Sequence, residues 1–152
     1  MNAVHPPVFL PDPDATDALA ARLAARLGAG DVLLLEGQIG AGKTHLARAL
    51  IRARGVAEDV PSPTFTLVQV YDSDAGEIWH ADLYRLGDPD EVIELGLAEA
   101  FDTALCLVEW PGKLGLDRPR GALELRLSLS GEGRCVAFLS DDPAWETRLA
   151  DL

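Results

Sequence analysis

Two short apolar runs give the strongest strand signals along the chain. Residues 31–36 and 104–108 carry almost no polar residue in their interiors, which is typical of strands buried on both faces of a parallel sheet. The first run leads into Gly37 and the second into Glu109. The pattern therefore predicts two central strands, each followed at once by a residue with possible chemistry.

Apolar residues at helical spacing predict helices on both sides of the first run. Residues 14–27 place leucines at i, i+4 and i+8, with a possible cap at Asp14 and a possible stop at Gly28. Residues 43–54 repeat the spacing and end at Gly55. Two further helices are predicted over residues 88–101 and 143–149.

Alternating or β-prone segments predict two hairpins. They pair residues 65–71 with 77–83, and residues 123–129 with 134–139. The short helix after the second hairpin has Trp145 as its expected anchor. The expected class is α/β, with a mixed, mostly parallel sheet, helices on both faces and a C-terminal β-hairpin.

Length adds a domain count to this picture. At 152 residues the chain is expected to form one domain, residues 1–152. No apolar run approaches the ~20 residues of a membrane span, and no secretory signal is recognisable, so we expect a cytoplasmic protein. Cys106 and Cys135 lie inside apolar runs without a C-x-x-C pattern, which favours buried, reduced thiols.

Charge limits the partners. Thirteen basic against twenty-five acidic residues give a net charge of -12, which argues against a chain that grips nucleic acid through its phosphates without help. Partners are expected to be proteins, or a nucleic acid held by another subunit. The alternative is that the acidity serves solubility alone.

One loop carries the clearest chemistry. Residues 37–44 read Gly-Gln-Ile-Gly-Ala-Gly-Lys-Thr and match G-x-x-x-x-G-K-[ST], the P-loop that cradles nucleotide phosphates on backbone N–H groups. Lys43 is expected to reach the β/γ-phosphates and the Thr44 hydroxyl to bind Mg2+. The flanking strand and helix are both predicted, so the motif has its required context. We therefore expect a P-loop NTPase fold that binds a nucleoside triphosphate.

A carboxylate at the end of an apolar strand is the expected partner of that loop. P-loop proteins place such an acid beside Mg2+, because the carboxyl edge of the sheet faces the phosphates. Glu109 is the first candidate and Asp82, which ends another strand, is its competitor. Thr64 lies among hydroxyls that could sense the γ-phosphate, although an ordinary loop is the alternative. Thr16 could contact a nucleotide, or simply cap or cover its helix.

Four motifs in order resemble the TsaE (YjeE) family of small bacterial P-loop ATPases. They are the loop itself, Ser62-Pro63-Thr64-Phe65-Thr66-Leu67-Val68, His80-Ala81-Asp82-Leu83-Tyr84-Arg85-Leu86 and Leu107-Val108-Glu109-Trp110-Pro111. The resemblance covers residues 16–134. It implies Mg2+-dependent ATP hydrolysis required, with the partner proteins TsaB and TsaD, for threonylcarbamoyladenosine modification of tRNA. The tRNA contact would be indirect, and the chain alone is expected to be a monomer.

The resemblance also implies residue roles. Catalysis would use Lys43, Asp82 and Glu109, Mg2+ would bind Thr44 and Glu109, and Thr64 would lie in a switch-like loop. Nucleotide contacts would come from Thr16, Gln38, Ile39, Gly40, Ala41, Gly42, Lys43, Thr44, His45, Trp110 and Arg134. Gln38, Ile39 and His45 depart from the residues common in the family, which affects fine contacts and partner fit rather than nucleotide binding.

Rival enzyme classes fit less well. A GTPase needs an Asn/Thr-Lys-x-Asp motif, but Asn2 is the chain's asparagine, and Lys43 and Lys113 are its lysines, none in that context. A small-molecule kinase needs an Arg-rich lid, for which Arg118 and Arg120 are the close basic pair. That kinase remains the alternative. A nucleotide-gated binding module, whose hydrolysis resets a complex, overlaps the family interpretation.

Overall fold

The computed structural model of the chain describes residues 1–57, 59–61, 63, 67–88 and 90–152. The strands are β1 Asn2–Leu10, β2 Val32–Glu36, β3 Val68–Ser73, β4 Gly76–Asp82, β5 Leu105–Glu109, β6 Leu123–Ser130 and β7 Gly133–Ser140. The helices are α1 Pro13–Ala24, α2 Lys43–Ala53, α3 Glu91–Glu94, α4 Leu97–Thr103 and α5 Ala144–Arg148. A 3-10 segment covers Pro111–Asp117.

All of these strands pair in one mixed sheet. Its order is β1-β7-β6-β2-β5-β4-β3. The central strands β6, β2, β5 and β4 run parallel to one another, and the outer pairs β1·β7, β7·β6 and β4·β3 are antiparallel. The expected α/β class, the mixed sheet and the β6–β7 hairpin are confirmed.

Helices cover both faces of the sheet. Because successive residues of a strand point to opposite faces, Leu33 and Leu35 of β2 join a core with α1, α2 and α5, while Leu34 joins a core with α3, α4 and the 3-10 segment. Trp145 anchors α5 as expected: it is 2% exposed, and its Nε1 donates to the Gly121 carbonyl at 2.8 Å. The double coverage explains why β2 and β5 lack polar alternation.

The N-terminal strand is an element that the sequence pattern did not predict. β1 contains Pro6 and Pro7, and its pairing with β7 shifts register between Ala3 and His5 and again between His5 and Val8. Proline lacks the N–H that a central strand needs, but an irregular edge strand tolerates it. β1 lies at the edge of the sheet, so the prolines are compatible with it.

The single helix expected over residues 88–101 is wrong. Two short helices, α3 and α4, occupy this region and are separated at Gly96, whose φ is 81°. A left-handed residue ends one helix and lets the chain start another in a new direction. At α1 the cap is Asp12 rather than Asp14, because the Asp12 side chain accepts the Ala15 N–H at 2.8 Å.

The thiols are both free, as expected, but only one is fully buried. Cys106 is buried in β5 and Cys135 is partly exposed in β7. Burial raises the pKa of the Cys106 thiol to about 12. Among the residues described, none of the helices has the length and apolar character needed to cross a membrane.

Candidate functional site

The loop between β2 and α2 requires glycine at particular positions. Gly37 has φ 152°, and a Cβ there would lie 2.5 Å from the carbonyl oxygen of Leu127 on β6. Gly42 has φ 101° and is the N-cap of α2. These positions explain the motif spacing physically: the backbone passes close to β6, then turns in left-handed geometry so that α2 begins with free N–H groups at the loop.

Lys43, the first residue of α2, is folded back into this loop. Its side chain is 5% exposed. Nζ donates to the carbonyl oxygen of Gly37 and to that of Gln38, the second at 3.0 Å. Nζ also lies 4.1 Å from the ring centroid of Trp110. The loop therefore surrounds a positive charge held by carbonyl dipoles and an aromatic face.

Two opposing effects act on the pKa of Lys43. Burial lowers the pKa of the ammonium group, and the carboxylates of Glu109, Glu36 and Asp82 oppose that shift, Glu109 most strongly. An anion placed on Lys43 would favour the charged form further. The lysine is thus poised to bind a negatively charged ligand.

Two strand-end carboxylates lie side by side next to the loop. Asp82 of β4 and Glu109 of β5 are register partners in the parallel ladder. They are 5% and 2% exposed. Ile78 lies four residues before Asp82 in β4, Leu107 lies two residues before Glu109 in β5, and both belong to the core that includes α2. Because side chains an even number of residues apart in a strand share a face, both acids point to the side of the sheet where Lys43 lies.

Glu109 uses its two oxygens for two different partners. Oε1 accepts the Thr44 hydroxyl at 2.7 Å, and Oε2 lies 2.7 Å from Nε2 of His80. His80 is completely buried. Glu109 thereby joins the helix that follows the loop to a histidine inside the sheet.

Asp82 has a different set of contacts. Its Oδ1 accepts the backbone N–H of Tyr84 at 3.0 Å, and its own N–H donates to the Leu67 carbonyl at 2.8 Å. Thr44 therefore bonds to Glu109, while Asp82 fixes the chain that leaves β4. This contrast separates the two acids that the sequence analysis left in competition.

Trp110 closes the site from the other side. Its φ of 59° is left-handed, a conformation that costs a bulky residue on the order of 1–2 kcal/mol. Its ring packs against that of Tyr84, with centroids 4.9 Å apart. The turn at Trp110 ends β5 and brings the indole against the Lys43 ammonium, while the same side chain packs against the core with α3 and α4.

These side chains line two adjoining cavities. The first, about 390 Å3, is lined by Ile39, Gly40, Gly42, Lys43, Thr44, His45, Asp82, Tyr84, Glu109 and Trp110. The second, about 370 Å3, is lined by Leu10, Pro11, Asp12, Pro13, Thr16, Ala41, Gly42, His45, Leu127, Glu132, Gly133 and Arg134. Gly42 and His45 border both, so the two spaces meet at the start of α2.

The structure thus brings most of the predicted site residues together. Thr16 and Arg134, far apart in sequence, line the second cavity, and Arg134 donates to the Gly40 carbonyl at 3.2 Å. Gln38 lies in the loop, where its carbonyl oxygen accepts from Lys43, but it is not among the residues that line either cavity. Thr64 falls outside the described residues.

Sequence reasoning missed two contributors. Tyr84 lines the first cavity, and His80 holds Glu109. His80 stands two residues before Asp82, and i, i+2 spacing in a strand puts both side chains on one face. That signal was present in the sequence, but it pointed to the acid site only once the register of β4 against β5 was known.

The oxygens at Thr44 and Glu109 fit a magnesium ion shared with phosphates. No group of three or more His, Cys, Asp or Glu that could hold a metal occurs in the described part of the chain. Magnesium that serves phosphates needs only one or two protein oxygens, with phosphates and waters as the other ligands. Thr44 Oγ1 and Glu109 Oε1 supply two oxygens 2.7 Å apart, so the site fits that use and does not fit a closed protein cage.

A buried strand, a glycine-rich loop around a lysine and paired strand-end acids define an α/β protein with a candidate phosphate site. Comparison with known proteins gives the family. Residues 10–136 match the family "Threonylcarbamoyl adenosine biosynthesis protein TsaE". The chain belongs to the TsaE family.

Individual relatives agree over most of their length. A Rickettsia felis protein called tRNA threonylcarbamoyladenosine biosynthesis protein TsaE is 34% identical over 93% of this chain and 91% of its own. The Bacillus subtilis protein of the same name is 37% identical over 80% of this chain and 76% of its own. The crystal structure of YdiB from Bacillus subtilis superposes with a TM-score of 0.77 at 27% identity, covering 96% of this chain and 92% of the other.

Proposed function

We propose that this chain is a Mg2+-dependent ATPase with a P-loop NTPase fold that acts in threonylcarbamoyladenosine modification of tRNA. The observation that carries the proposal is the placement of Thr44 Oγ1 against Glu109 Oε1, at 2.7 Å, beside the buried ammonium of Lys43. A positive charge and a pair of hard oxygen ligands, one from the start of α2 and one from the end of β5, are what a metal–triphosphate complex requires. The names of the relatives support the pathway.

The nucleotide would span both cavities. Its phosphates would lie in the first, at the N-terminus of α2 and against Lys43, which would exchange the carbonyl oxygens of Gly37 and Gln38 for phosphate oxygens. The adenosine part would extend into the second cavity, where Thr16 and Arg134 line the wall. Gly42 and His45 line both cavities, which supports a single elongated ligand.

Thr44 and Glu109 would hold Mg2+, which would supply positive charge against that of the phosphates. Lys43 would stabilise charge on the β/γ-phosphates as the terminal phosphoryl group departs. Asp82, adjacent to Glu109 and fixed by the Tyr84 backbone N–H, would help to position the metal or water. Thr64 remains proposed for the switch-like loop, and the 152 residues are proposed to act as one domain.

TsaB and TsaD are the proposed partners, with tRNA reached through their complex. The net charge of -12 supports indirect contact, because a strongly acidic chain repels phosphate backbones. The chain alone is proposed to be a monomer and to work in the cytoplasm, without a membrane. Ile39 and Tyr84, exposed by 72% and 47% at the mouth of the first cavity, offer apolar surface for a partner that reads the nucleotide state.

The small-molecule kinase alternative loses support from one contact. Arg118, half of the basic pair expected to form a lid, donates instead to the nearly buried carboxylate of Glu124, which also pairs with Arg126. That arginine braces the chain between the 3-10 segment and β6. It is therefore a structural contact, not a free lid residue.

The deciding measurement is the rate of phosphate release from ATP by the purified chain, with and without TsaB, TsaD and tRNA. We expect Mg2+-dependent turnover that rises in the complex, and loss of tRNA modification when the chain is omitted. GTP in place of ATP tests base preference. Modification that proceeds unchanged without the chain would contradict the proposal.

A further inference from the structure

We propose that His80 is the positioning residue of this site: it holds Oε2 of Glu109 so that Oε1 is directed at the metal position beside Thr44. The inference rests on the proposed function, since it concerns the acid that would bind Mg2+. It gives a role to a buried histidine to which the sequence motifs assigned none.

The His80 ring makes one polar contact within the described part of the chain. Its ring is fully buried in β4, and Nε2 lies 2.7 Å from Oε2 of Glu109. The other ring nitrogen, Nδ1, is buried without a hydrogen-bond partner within the described part of the chain. Since an ionised carboxylate is acceptor-only, the proton at this contact lies on Nε2. All of the observed polar anchoring of the ring is therefore directed at Glu109.

Position along the strands makes the contact specific. His80 pairs in register with Leu107, two residues before Glu109, and lies on the same face of β4 as Asp82. The His80 side chain thus reaches Glu109 diagonally across the two strands, from a position further from the loop than Glu109 itself. Thr44 approaches the opposite oxygen from α2. A carboxylate held from both sides has one orientation.

Burial explains why the holding matters. Glu109 is 2% exposed and its Oε2 faces the fully buried His80 ring, so bulk water has poor access to this oxygen. Without the N–H of His80, Oε2 would lose its donor, and rotation of the carboxylate towards another donor would take Oε1 away from the Thr44 hydroxyl. Partners that orient a metal ligand commonly change metal affinity by about 10–100-fold when removed.

The same arrangement predicts what His80 leaves unaffected. Nucleotide binding without metal depends on the loop backbone, α2 and Lys43, and the hydrogen bond of the His80 ring in the described part of the chain goes to Glu109 instead. Loss of the histidine should therefore separate two quantities that a general folding defect would lower together. One is the affinity for nucleotide in EDTA, and the other is the affinity of the nucleotide complex for the metal.

The experiment uses the full chain and three substitutions at this position. His80→Gln keeps an N–H donor near the place of Nε2, His80→Asn carries its amide too close to the backbone to reach Glu109, and His80→Leu fills space without a donor. ADP affinity is measured in EDTA, and Mn2+ affinity of the ADP complex is measured by electron paramagnetic resonance. His5→Leu, in β1, controls for loss of a histidine elsewhere.

We expect His80→Leu and His80→Asn to weaken Mn2+ binding by about tenfold or more, with ADP affinity in EDTA kept within about twofold. His80→Gln should recover most of the Mn2+ affinity. If His80→Leu does not fold, the contrast between Gln and Asn decides. Unchanged Mn2+ binding in the Leu or Asn variant overturns the proposal, as does equal loss in EDTA and in Mn2+.

Failure of the proposed function gives a different result. The unsubstituted chain would then bind ADP without any gain in affinity from Mn2+ or Mg2+, or would not bind it. In that case the role assigned to His80 falls together with the site. Metal-dependent binding that is indifferent to His80 removes only the positioning role.

Discussion

At the scale of single residues, Lys43 shows how the site combines opposing demands. The protein buries the ammonium group, which is unfavourable for a charge, and offsets this with two carbonyl oxygens, an aromatic face and nearby acids. Glu109, the acid with the largest effect on its pKa, is itself held by Thr44 and His80. A substitution at one of these residues should therefore be felt by the others.

Lys43→Ala should reduce ATP hydrolysis by on the order of 100-fold or more, because it removes a preorganised positive charge from the developing transition state. Lys113→Ala is the matched control, since Lys113 is exposed in the 3-10 segment. Steady-state phosphate release from both variants gives the comparison. If Lys43→Ala keeps a rate within about threefold of the Lys113→Ala variant, the lysine is not part of the catalytic site.

The two acids should separate on substitution. Glu109→Gln keeps the shape but removes the charge beside Thr44, so hydrolysis should fall by on the order of 100-fold, while ATP still binds in EDTA. The Asp82 carboxylate contacts Tyr84 rather than Thr44, so Asp82→Asn should cause the smaller loss of Mg2+ affinity. Mg2+ titrations of both variants make the test, and the reverse order would exchange the assigned roles.

The thiols provide a check of burial that does not depend on function. Burial raises the pKa of Cys106 to about 12, so almost no thiolate exists at pH 8, whereas Cys135 is partly exposed. Iodoacetamide should label Cys135 in the folded chain and Cys106 only after denaturation. Mass spectrometry of the labelled peptides measures both. Faster labelling of Cys106 in the native chain would contradict its place in the core.

The residue scale also shows where sequence reasoning about the site stops. Lys43 and Thr44 could be assigned because glycine spacing reflects backbone geometry that any such loop must satisfy. His80 could not be assigned, because its contact with Glu109 depends on the parallel register between β4 and β5. Arg134 lies near Gly40 only because β7 folds back beside the loop. Contacts across strands require the tertiary structure.

At the scale of elements, the loop is shaped by the strand beside it. A Cβ on Gly37 would meet the carbonyl oxygen of Leu127 at 2.5 Å, so Gly37→Ala must push the loop away from β6. We expect a loss of stability of about 1–3 kcal/mol, typical of overpacking, and weaker nucleotide binding. Urea unfolding and ADP titration measure the two effects.

Gly112→Ala is the control for that substitution. A Cβ at Gly112 would have no atom within 4 Å, and its backbone is not left-handed. The control variant should change stability by less than about 1 kcal/mol. Equal stability of the two variants would mean that the loop can relax without cost, and the close approach to β6 would then not explain the glycine.

Elements with strong local signals were predicted and those that depend on distant partners were not. β2 and β5 could be predicted from their continuous apolar runs, which arise because both faces of each strand are buried. β1 has two prolines and exists through its pairing with β7, more than a hundred residues away. The break between α3 and α4 at Gly96 could not be predicted, because a single left-handed residue does not disturb the helical spacing of the apolar residues around it.

At the scale of the whole molecule, segments from both ends of the chain are fixed to the sheet. β1 pairs with β7, and Arg148 of α5 forms an ion pair with Asp31, just before β2. Arg148 also donates to the Arg26 carbonyl at 2.7 Å and lies over the Trp145 ring at 3.9 Å. The C-terminal helix α5 therefore braces the start of the strand that leads into the loop, and loosening α5 should loosen the site.

The expectation of one domain can be tested through the tryptophans, which report from opposite faces of the sheet. Trp145 belongs to the core with α1 and α2, while Trp79 packs against the core with α3 and α4. Because both cores share β2 and β5, we expect them to unfold together. Trp79→Phe with Trp110→Phe leaves Trp145 as the reporter, and Trp145→Phe with Trp110→Phe leaves Trp79.

In each double variant, the urea midpoint from tryptophan fluorescence should coincide with the midpoint from far-UV circular dichroism of that same variant, as two-state unfolding requires. Comparing probes within one variant removes the effect of the substitutions on stability. ADP with Mg2+ should shift both midpoints upward together, because ligand binding to the folded state stabilises every part that unfolds with the site. A Trp145 signal that unfolds separately, or that ADP leaves unmoved, would show that the sheet is divided into independent units.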